Sequence, residues 1–469
     1  MTHYDLAIIG AGPAGMAATI EAVQAGLSVI LLDEQARVGG QIYRNIERTT
    51  DSLSKILGKD YVAGRPLVAT LAKLDFTYVT NASVWQADNE GRISYSVDGA
   101  ANRISAERIL IATGALERPV PIPGWTLPGV MMAGAGQILL KQSGIVGQGP
   151  VVVGSGPLIY LIAAQMVRAG TPPVAIIETQ TSADLIKAQK HLLGALVGWR
   201  YLVKGLGLLW ELKRAGVKRY TGARDLTVEG QNHAEALKFS HRGQSVRLVC
   251  DTVFVHMGVV PNTQLSRAMR LDHEWDKRQQ CFRPVTDSWG QSSSRRIYVA
   301  GDGGGISGAK YAEISGRIAA VKIANDLGAL SDGERDLKGR SLRFAAGLEQ
   351  AARPFIDTAY PPLGQVLTPD DDTIVCRCEE ITAGDIRRYA TMGCEGPNQT
   401  KAFGRAGMGP CQGRYCGLTV SALLSQANKR SMDEVGYYRI RPPIKPLTLG
   451  ELAQLDDRDE SEDEGMDLG

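Results

Sequence analysis

The chain has 469 residues, more than one hydrophobic core usually organises, so two or three domains are expected. Its 52 basic and 50 acidic residues leave a net charge of +2, which excludes the strongly basic surface of a nucleic-acid binder. No uninterrupted apolar run reaches the roughly 20 residues of a membrane span. The most apolar stretch, residues 151–167, is broken by Gly154-Ser155-Gly156-Pro157. The start carries Gly10 and Gly12 in its apolar run, without the basic segment and cleavage pattern of a signal peptide. A cytoplasmic chain with no transmembrane segment is therefore predicted. In that reducing setting its seven cysteines, four of them crowded late, point to a metal before disulfides.

Tyr4-Asp5-Leu6-Ala7-Ile8-Ile9 is an apolar run of the buried-strand kind. Gly10-Ala11-Gly12-Pro13-Ala14-Gly15 follows, and then a helical stretch over residues 16–25. Gly10 allows a tight turn, Gly12 lets backbone approach a pyrophosphate, and Gly15 lets the helix pack close to the strand. The helix N-terminus offers free N–H groups to phosphate. A second strand over residues 27–32 ends at Asp33-Glu34, about 20 residues beyond the turn, where an acid can accept from a ribose hydroxyl. Asp33, at the strand's edge, is favoured over Glu34. Strand, turn, helix, strand and acid in this order predict a dinucleotide site.

Three further stretches accompany it: Val38-Gly39-Gly40-Gln41, Ile109-Leu110-Ile111-Ala112-Thr113-Gly114, and Ile297-Tyr298-Val299-Ala300-Gly301-Asp302. Together the motifs resemble the two-dinucleotide-domain flavoproteins of the glutathione and thioredoxin reductase kind, over residues 1 to about 325. The resemblance implies FAD at the first site, bordered by Gly10, Gly12, Pro13, Ala14, Gly15, Asp33 or Glu34, Gly39, Gly40, Gln41, Ala112, Thr113, Gly114 and Gly301. It also places Asp302 on the flavin's ribityl chain.

Val151-Val152-Val153-Gly154-Ser155-Gly156-Pro157-Leu158-Ile159 repeats the strand-turn design, and residues 174–177 form a strand ending in Glu178. By the same resemblance this is the place for NAD(P)H. Ile159 occupies the third glycine position, where a side chain keeps the helix off the strand. Residues 183–214 read as inserted apolar helices with Trp199 and Trp210, either a partner surface or a layer on their own domain. The second domain is read as a retained scaffold, degenerate as an NAD(P) site. His256, within the strand 251–258, reads as a packed core residue before a proton carrier. Cys250 and Cys281 are isolated, and no Cys-x-x-Cys lies near either glycine turn, so redox-disulfide chemistry is not expected.

The late cysteines form Cys376-x-Cys378, thirty-two residues, and Cys411-x4-Cys416. A helix over residues 382–392 opens with Thr382 and Asp385 in capping-box spacing. Four thiolates suit zinc or an iron–sulfur centre. The single residue between Cys376 and Cys378 favours [2Fe–2S], because zinc loops usually place two to four there. The glycine-rich second loop can turn N–H groups toward negatively charged sulfurs, and Arg377, Arg405 and Arg414 can offset charge. Cys394 is read as structural.

This region resembles the ferredoxin-like domain of bacterioferritin-associated ferredoxin, with C-x4-C in place of that family's C-x-x-C. The longer spacing, Arg405-Ala406-Gly407-Met408-Gly409-Pro410-Cys411 and the tail Arg439-Ile440-Arg441-Pro442-Pro443-Ile444-Lys445-Pro446 resemble a narrower group. It comprises the large flavin subunits of opine (octopine and nopaline) oxidases, the B subunit of hydrogen cyanide synthase, and the D-hydroxyproline and proline dehydrogenases. The resemblance implies an electron-transfer subunit of a heteromeric dye-linked dehydrogenase. Its partners would be a second FAD-containing (beta) subunit that oxidises the amine and a small ferredoxin-like (gamma) subunit, in a higher hetero-oligomer peripheral at the inner membrane at most. It leaves room for FMN at a subunit interface. No Ser-His-Asp set or paired carboxylates stand out, so no catalytic residue is expected on this chain. The alternatives are a standalone NAD(P)H-dependent flavin reductase and a non-catalytic assembly subunit with ATP or ADP in place of FAD.

The fold class expected is α/β, with two Rossmann-like dinucleotide domains and a small α-rich cysteine-cluster domain. The FAD domain is assigned to residues 1–118 and 285–330, and the second domain to 119–284 with the insertion 183–214. A linker is expected over 331–368, helical at first and then made extended by Pro354, Pro361 and Pro362. The [2Fe–2S] domain is assigned to 369–430, an extended arm to 431–455, and an acidic disordered tail to 456–469.

Overall fold

The computed structural model describes residues 1–455; the acidic tail at 456–469 lies outside them. The N-terminal sheet holds β1 (Thr2–Ile9), β2 (Val29–Leu32), β3 (Thr77–Val79), β4 (Ser83–Ala87), β5 (Arg92–Val97) and β6 (Ala100–Ile111), in the order β3-β2-β1-β6-β5-β4. The strand Ile297–Val299 returns from far downstream to pair with β6 in parallel. Ile9 is level with Leu32 on one side and Ile111 on the other, and Ile111 is level with Val299. Val79, the last residue of β3, is level with Leu32, so five parallel strands end together and the residues after them share one edge. Carboxyl ends of parallel strands are where such sheets bind ligands.

β1 is apolar on both faces, as a central parallel strand requires. Leu6 and Ile8 join a core with Ala14 and Met16 of α1 (Pro13–Gln24) and with Ala319 and Ile323 of the helix Ala309–Asp326. Ala7 and Ile9 join a different core, with Ile93 and Ile104 and also with Val375, Ile386 and Tyr438 from the cysteine-bearing segment. The cysteine segment is thus packed into the sheet's second face, and each large side chain buried there contributes about 1.5–3 kcal/mol.

The second sheet is parallel, in the order Lys218–Thr221, Ala175–Glu178, Val151–Ser155, Val253–Met257, Val130–Met132. A two-stranded ribbon, Ala115–Glu117 against Val259–Pro261, connects it to the first. The expected insertion is helical, as Ser182–Ala188, Leu192–Val197 and Trp199–Arg214. The stretch after Asp332–Gln350 differs from expectation. Pro354 does not extend the backbone; it lies in the first turn of the helix Arg353–Ala359, where a missing N–H costs no helical bond.

The cysteine segment pairs Ile374–Cys376 with Ile381–Thr382, then forms the helices Ala383–Thr391, Pro397–Gly404 and Gly417–Asn428. The Thr382–Asp385 capping box is formed at the start of the first.

Candidate functional site

At the level edge of the first sheet the glycines have different physical duties. A Cβ on Gly10, at φ +109°, would lie 2.5 Å from the Ala112 carbonyl oxygen, and one on Gly15 would lie 1.9 Å from the Gly10 oxygen. Both are demanded by the fold. Gly12 is not: the nearest atom to a Cβ there, Gly40 Cα, is 3.9 Å away. α1 begins at Pro13 with no side-chain cap, so its first-turn N–H groups have no side-chain partner, as at helix starts that receive phosphate.

The Gly39 N–H donates to the Ala11 oxygen at 2.8 Å, which lays Gly39-Gly40 across the glycine turn. Gln41 follows, and its carbonyl accepts from Lys141 Nζ at 2.8 Å, as does that of Ile42 at 3.0 Å. Burial, reinforced by the nearby Arg44 guanidinium, pushes the Lys141 ammonium down to about 7.

The two acids are placed differently. Asp33 is buried, and its carboxylate accepts from the Ala11 N–H at 2.5 Å and the Gln35 N–H at 2.7 Å. Burial raises its pKa against those two bonds. Glu34 is exposed, and Lys445 Nζ stands 2.5 Å from its Oε1.

Ala112 donates to the Ile9 oxygen at 2.9 Å, and the Gly114 oxygen accepts from the Asn262 N–H at 3.0 Å. Between them, the Thr113 hydroxyl reaches the Asn262 oxygen at 3.4 Å. Gly301 touches α1, a Cβ there meeting Ala14 Cβ at 3.0 Å. Asp302 Oδ1 accepts from the N–H groups of Ser307 and Gly308 at 2.8 and 2.9 Å, while its other oxygen has no protein partner among the described residues. The sequence-predicted residues of the first site thus stand around one edge, where the Glu34 carboxylate and one oxygen of Asp302 are not consumed by backbone.

In the second sheet, Gly154 and Gly156 both have positive φ, at +150° and +121°, unlike Gly12 in the first turn, and Ile159 is fully buried behind them. Glu178, the acid at the end of the second strand, is not available to a ribose. Its carboxylate accepts from Tyr160 Oη at 2.9 Å, Gln180 Nε2 at 2.6 Å, and Arg219 Nε and Nη2 at 2.5 and 3.0 Å.

The four late cysteines come together as two pairs. Cys378 Sγ lies 3.8 Å from Cys411 Sγ, and the Cys416 thiol is near enough to Cys376 to shift its acidity. Two sulfurs about 2.3 Å from one tetrahedral metal stand about 3.8 Å apart. The Cys416 thiol, with N–H groups of Gly407, Glu379 and Cys378, holds Cys376 down at about 6. Among the described residues no group of three or more His, Cys, Asp and Glu side chains converges on a single metal position. Gly409 passes so close that a Cβ would lie 2.2 Å from Cys378 Cβ, and Cβ atoms on Gly407 and Gly413 would meet the Tyr438 ring at 2.5 and 2.3 Å. The loop's glycines are required by tight packing on Tyr438 as well as by N–H direction. Cys394 is buried apart from the pairs, with its thiol on the Gly396 oxygen.

The chain matches the pyridine nucleotide-disulphide oxidoreductase family over residues 4–324 and the sarcosine oxidase A3 domain over 371–455. It is 42% identical to the A subunit of opine oxidase from Rhizobium meliloti (strain 1021), covering 97% of this chain and 99% of that protein. This chain belongs to the family of opine oxidase A subunits. Within the wider family it is 33% identical to hydrogen cyanide synthase subunit HcnB of Pseudomonas protegens, over 96% of this chain and 97% of that one. The fold is that of L-proline dehydrogenase from P. horikoshii, with a TM-score of 0.68 at 19% identity over 96% of this chain and 79% of that chain. The family supports an oxidoreductase subunit of the flavoprotein kind.

Two features of this family member are not visible as sequence motifs. His256 Nδ1 lies 2.5 Å from Glu117 Oε1, and Glu117 Oε2 accepts from the Gly134 N–H at 2.8 Å. His256 is therefore packed, as expected, and also paired with a carboxylate, on the ribbon between the two sheets. Gln264 Nε2 donates to the carbonyl oxygens of Cys411 and Gln412 at 3.1 and 3.3 Å. Gln264 opens a short helix just after the ribbon strand Val259–Pro261, whose partner strand follows Gly114, so one short segment touches both the edge of the first sheet and the thiol loop. Only its position after the Val259-Val260-Pro261 run could have marked it.

Proposed function

We propose that this chain is the electron-transfer subunit of a heteromeric dehydrogenase for an amino acid or opine. FAD would occupy the first site and a [2Fe–2S] centre the four cysteines. A second flavoprotein subunit would oxidise the amine and deliver electrons here. The observation that carries this reading is the Gln264 link, which holds the thiol loop against the segment bordering the first nucleotide edge.

The residues fit both groups. For FAD, the space at Gly12, the uncapped α1, the exposed Glu34 and the free oxygen of Asp302 supply pyrophosphate, ribose and ribityl contacts. Glu34 is assigned the ribose in place of Asp33, whose oxygens are spent on backbone. For the cluster, two thiol pairs suit two irons better than one zinc, which needs four ligands converging on one point. A flavin takes electrons as a pair and releases them singly, and a [2Fe–2S] centre carries one at a time. This chain's part is to hold the two sites close, exclude water from Cys376 and Cys416, and offset charge with backbone N–H groups.

The relatives named as opine oxidase and hydrogen cyanide synthase subunits support a heteromeric complex. Consumption of Glu178 within its own domain weighs against a standalone NAD(P)H reductase.

The test is purification of the tagged chain from its native cell, with visible spectra and iron and zinc analysis. Co-elution of a second flavoprotein with about two irons per chain, and reduction by an opine or amino acid, is the expected result. A lone chain bleached rapidly by NADH, or one holding zinc, would overturn it.

A further inference from the structure

The helices of the insertion are apolar on two sides. Leu208 and Leu212 of Trp199–Arg214 face inward, in a core with Ile162 and Met166. On the opposite side Trp199, Val203, Leu206 and Trp210 recur at spacings of four, three and four, one continuous helical stripe. That stripe is bare: Trp199 is 56% exposed, Leu206 67% and Trp210 63%, with Leu193 of the preceding helix at 82%. An ordinary surface helix presents polar residues there.

The unit is held rigidly. A Cβ on Gly198 would lie 2.6 Å from Ala352 Cβ, one on Gly194 would lie 2.3 Å from the Ala351 oxygen, and the Tyr201 hydroxyl donates to Glu349. The stripe is therefore presented on a fixed base.

Its charge is one-sided. Residues 182–214 hold six Lys and Arg and two acids. Both acids are occupied, Asp184 in the capping box with Thr181 and Glu211 in a two-pronged bond to Arg168 at 2.6 and 2.7 Å. Arg200, Lys213 and Arg214 flank the stripe, and Arg214 lies over the Trp210 ring at 5.5 Å. A cleft of about 430 Å³ lined by Leu209, Trp210, Lys213, Gly216, Val217 and Arg219 opens beside it. Neither helix alone is long and apolar enough to cross a membrane, and they meet at 110°.

We propose that this helical pair is a membrane-surface anchor. The stripe Trp199-Val203-Leu206-Trp210 enters the interfacial layer of an anionic bilayer, and Arg200, Lys213 and Arg214 meet its headgroups. Exposed tryptophans with flanking cations are the composition of helices lying in that layer. Three cations border the stripe while both acids of the insertion are already bonded, so its charge complements an anionic headgroup layer. An anchor here would bring the flavin and thiol sites to a surface where lipid-soluble electron acceptors reside.

The test is flotation of the purified full-length chain, with any subunits that co-purify, on phosphatidylcholine vesicles with and without phosphatidylglycerol. The chain is expected to float with the anionic vesicles and to be released by salt. Combined Trp199→Ser, Leu206→Ser and Trp210→Ser should cut binding more than about tenfold. Each of Arg200→Gln, Lys213→Gln and Arg214→Gln should cost about fivefold on anionic vesicles only. Circular dichroism and retained flavin absorption check that the variants are folded. Quenching of Trp199 and Trp210 fluorescence by brominated lipid is a second expected signal, lost in Trp199→Phe/Trp210→Phe. A wild-type chain that stays unbound with both vesicles, or binding that survives the triple serine variant, would overturn the proposal. So would a triple variant whose sole change is loss of a co-purifying subunit, which would assign the stripe to a subunit interface.

Discussion

Lys445 Nζ lies 2.5 Å from Glu34 Oε1, joining the C-terminal arm to the first nucleotide edge. Just before it, the Pro443 carbonyl accepts from Gln412 Nε2 at 2.5 Å and the Ile444 carbonyl from Arg414 Nη2 at 3.2 Å. Gln412 and Arg414 belong to the loop that carries Cys411 and Cys416. The Ile444 N–H also donates to the Trp85 oxygen at 2.9 Å. A few residues of arm therefore touch the thiol loop, β4 and the acid at the end of β2. The arm expected over residues 431–455 thus packs on its own chain at this point.

Separate duties for Asp33 and Glu34 can be measured. Asp33→Ala leaves the N–H groups of Ala11 and Gln35 unpaired, so it should destabilise the flavin-free chain by roughly 1–3 kcal/mol. Glu34→Ala breaks only an exposed ion pair, worth about 0–1 kcal/mol, and should leave flavin-free unfolding nearly unchanged. Its effect should appear as a loss of FAD affinity of about tenfold or more. Urea unfolding and flavin titration check the pair. Equal affinity in Glu34→Ala and wild type would return the ribose to Asp33.

A second contrast lies within the glycine turn. Gly15→Ala places a methyl 1.9 Å from the Gly10 oxygen, a backbone clash that should cost about 3 kcal/mol or more and abolish soluble expression. Gly12→Ala has an ordinary extended φ of −76° and its nearest neighbour 3.9 Å away. It should fold with a wild-type melting temperature and yet purify without flavin. Flavin retained in a folded Gly12→Ala protein would show that the pyrophosphate does not approach this position.

The nucleotide edge was legible in sequence because each piece depends on local rules. Gly10 and Gly15 answer to backbone sterics, and α1 follows from the turn. What was not legible is that Asp33, and not Glu34, meets the Ala11 N–H, because that depends on the fold in three dimensions. The packing of the thiol segment into the sheet was also hidden. Tyr438 and Ile9 share a core although hundreds of residues separate them, and no periodicity records that. Pro354 misled for a local reason, since proline both breaks helices and opens them.

That shared core bears on Cys376→Ser. Cys376 is 2% exposed within the cluster containing Ile9 and Tyr438. The substitution should remove iron–sulfur absorption and half of the bound iron or more, while FAD stays bound. Placing a hydroxyl in this core should also lower stability by roughly 1–3 kcal/mol. Absorption spectra, iron analysis and thermal unfolding report the three effects. Simultaneous loss of FAD would mean that the thiol loop is needed to shape the flavin edge.

Lys141 makes stability depend on pH in a defined direction. Its pKa is about 7 in the folded chain against 10.5 when free, with burial the main cause and the Arg44 charge adding to it. Between those values the unfolded chain binds more protons, so this residue makes stability rise as pH rises from 7 towards 10.5. Below 7 both states are protonated, and the cost of the buried cation is fully present. The slope reaches about 1.4 kcal/mol per pH unit at most, and the bonds to the Gln41 and Ile42 carbonyls work against it. Lys141→Met removes the titration along with those two bonds. Urea midpoints at about pH 7, 8 and 9 should therefore show wild type gaining on the variant as pH rises. A constant difference across that range would mean that the carbonyls hold the ammonium near its ordinary pKa and that the Gln41 loop is fastened to a permanent cation.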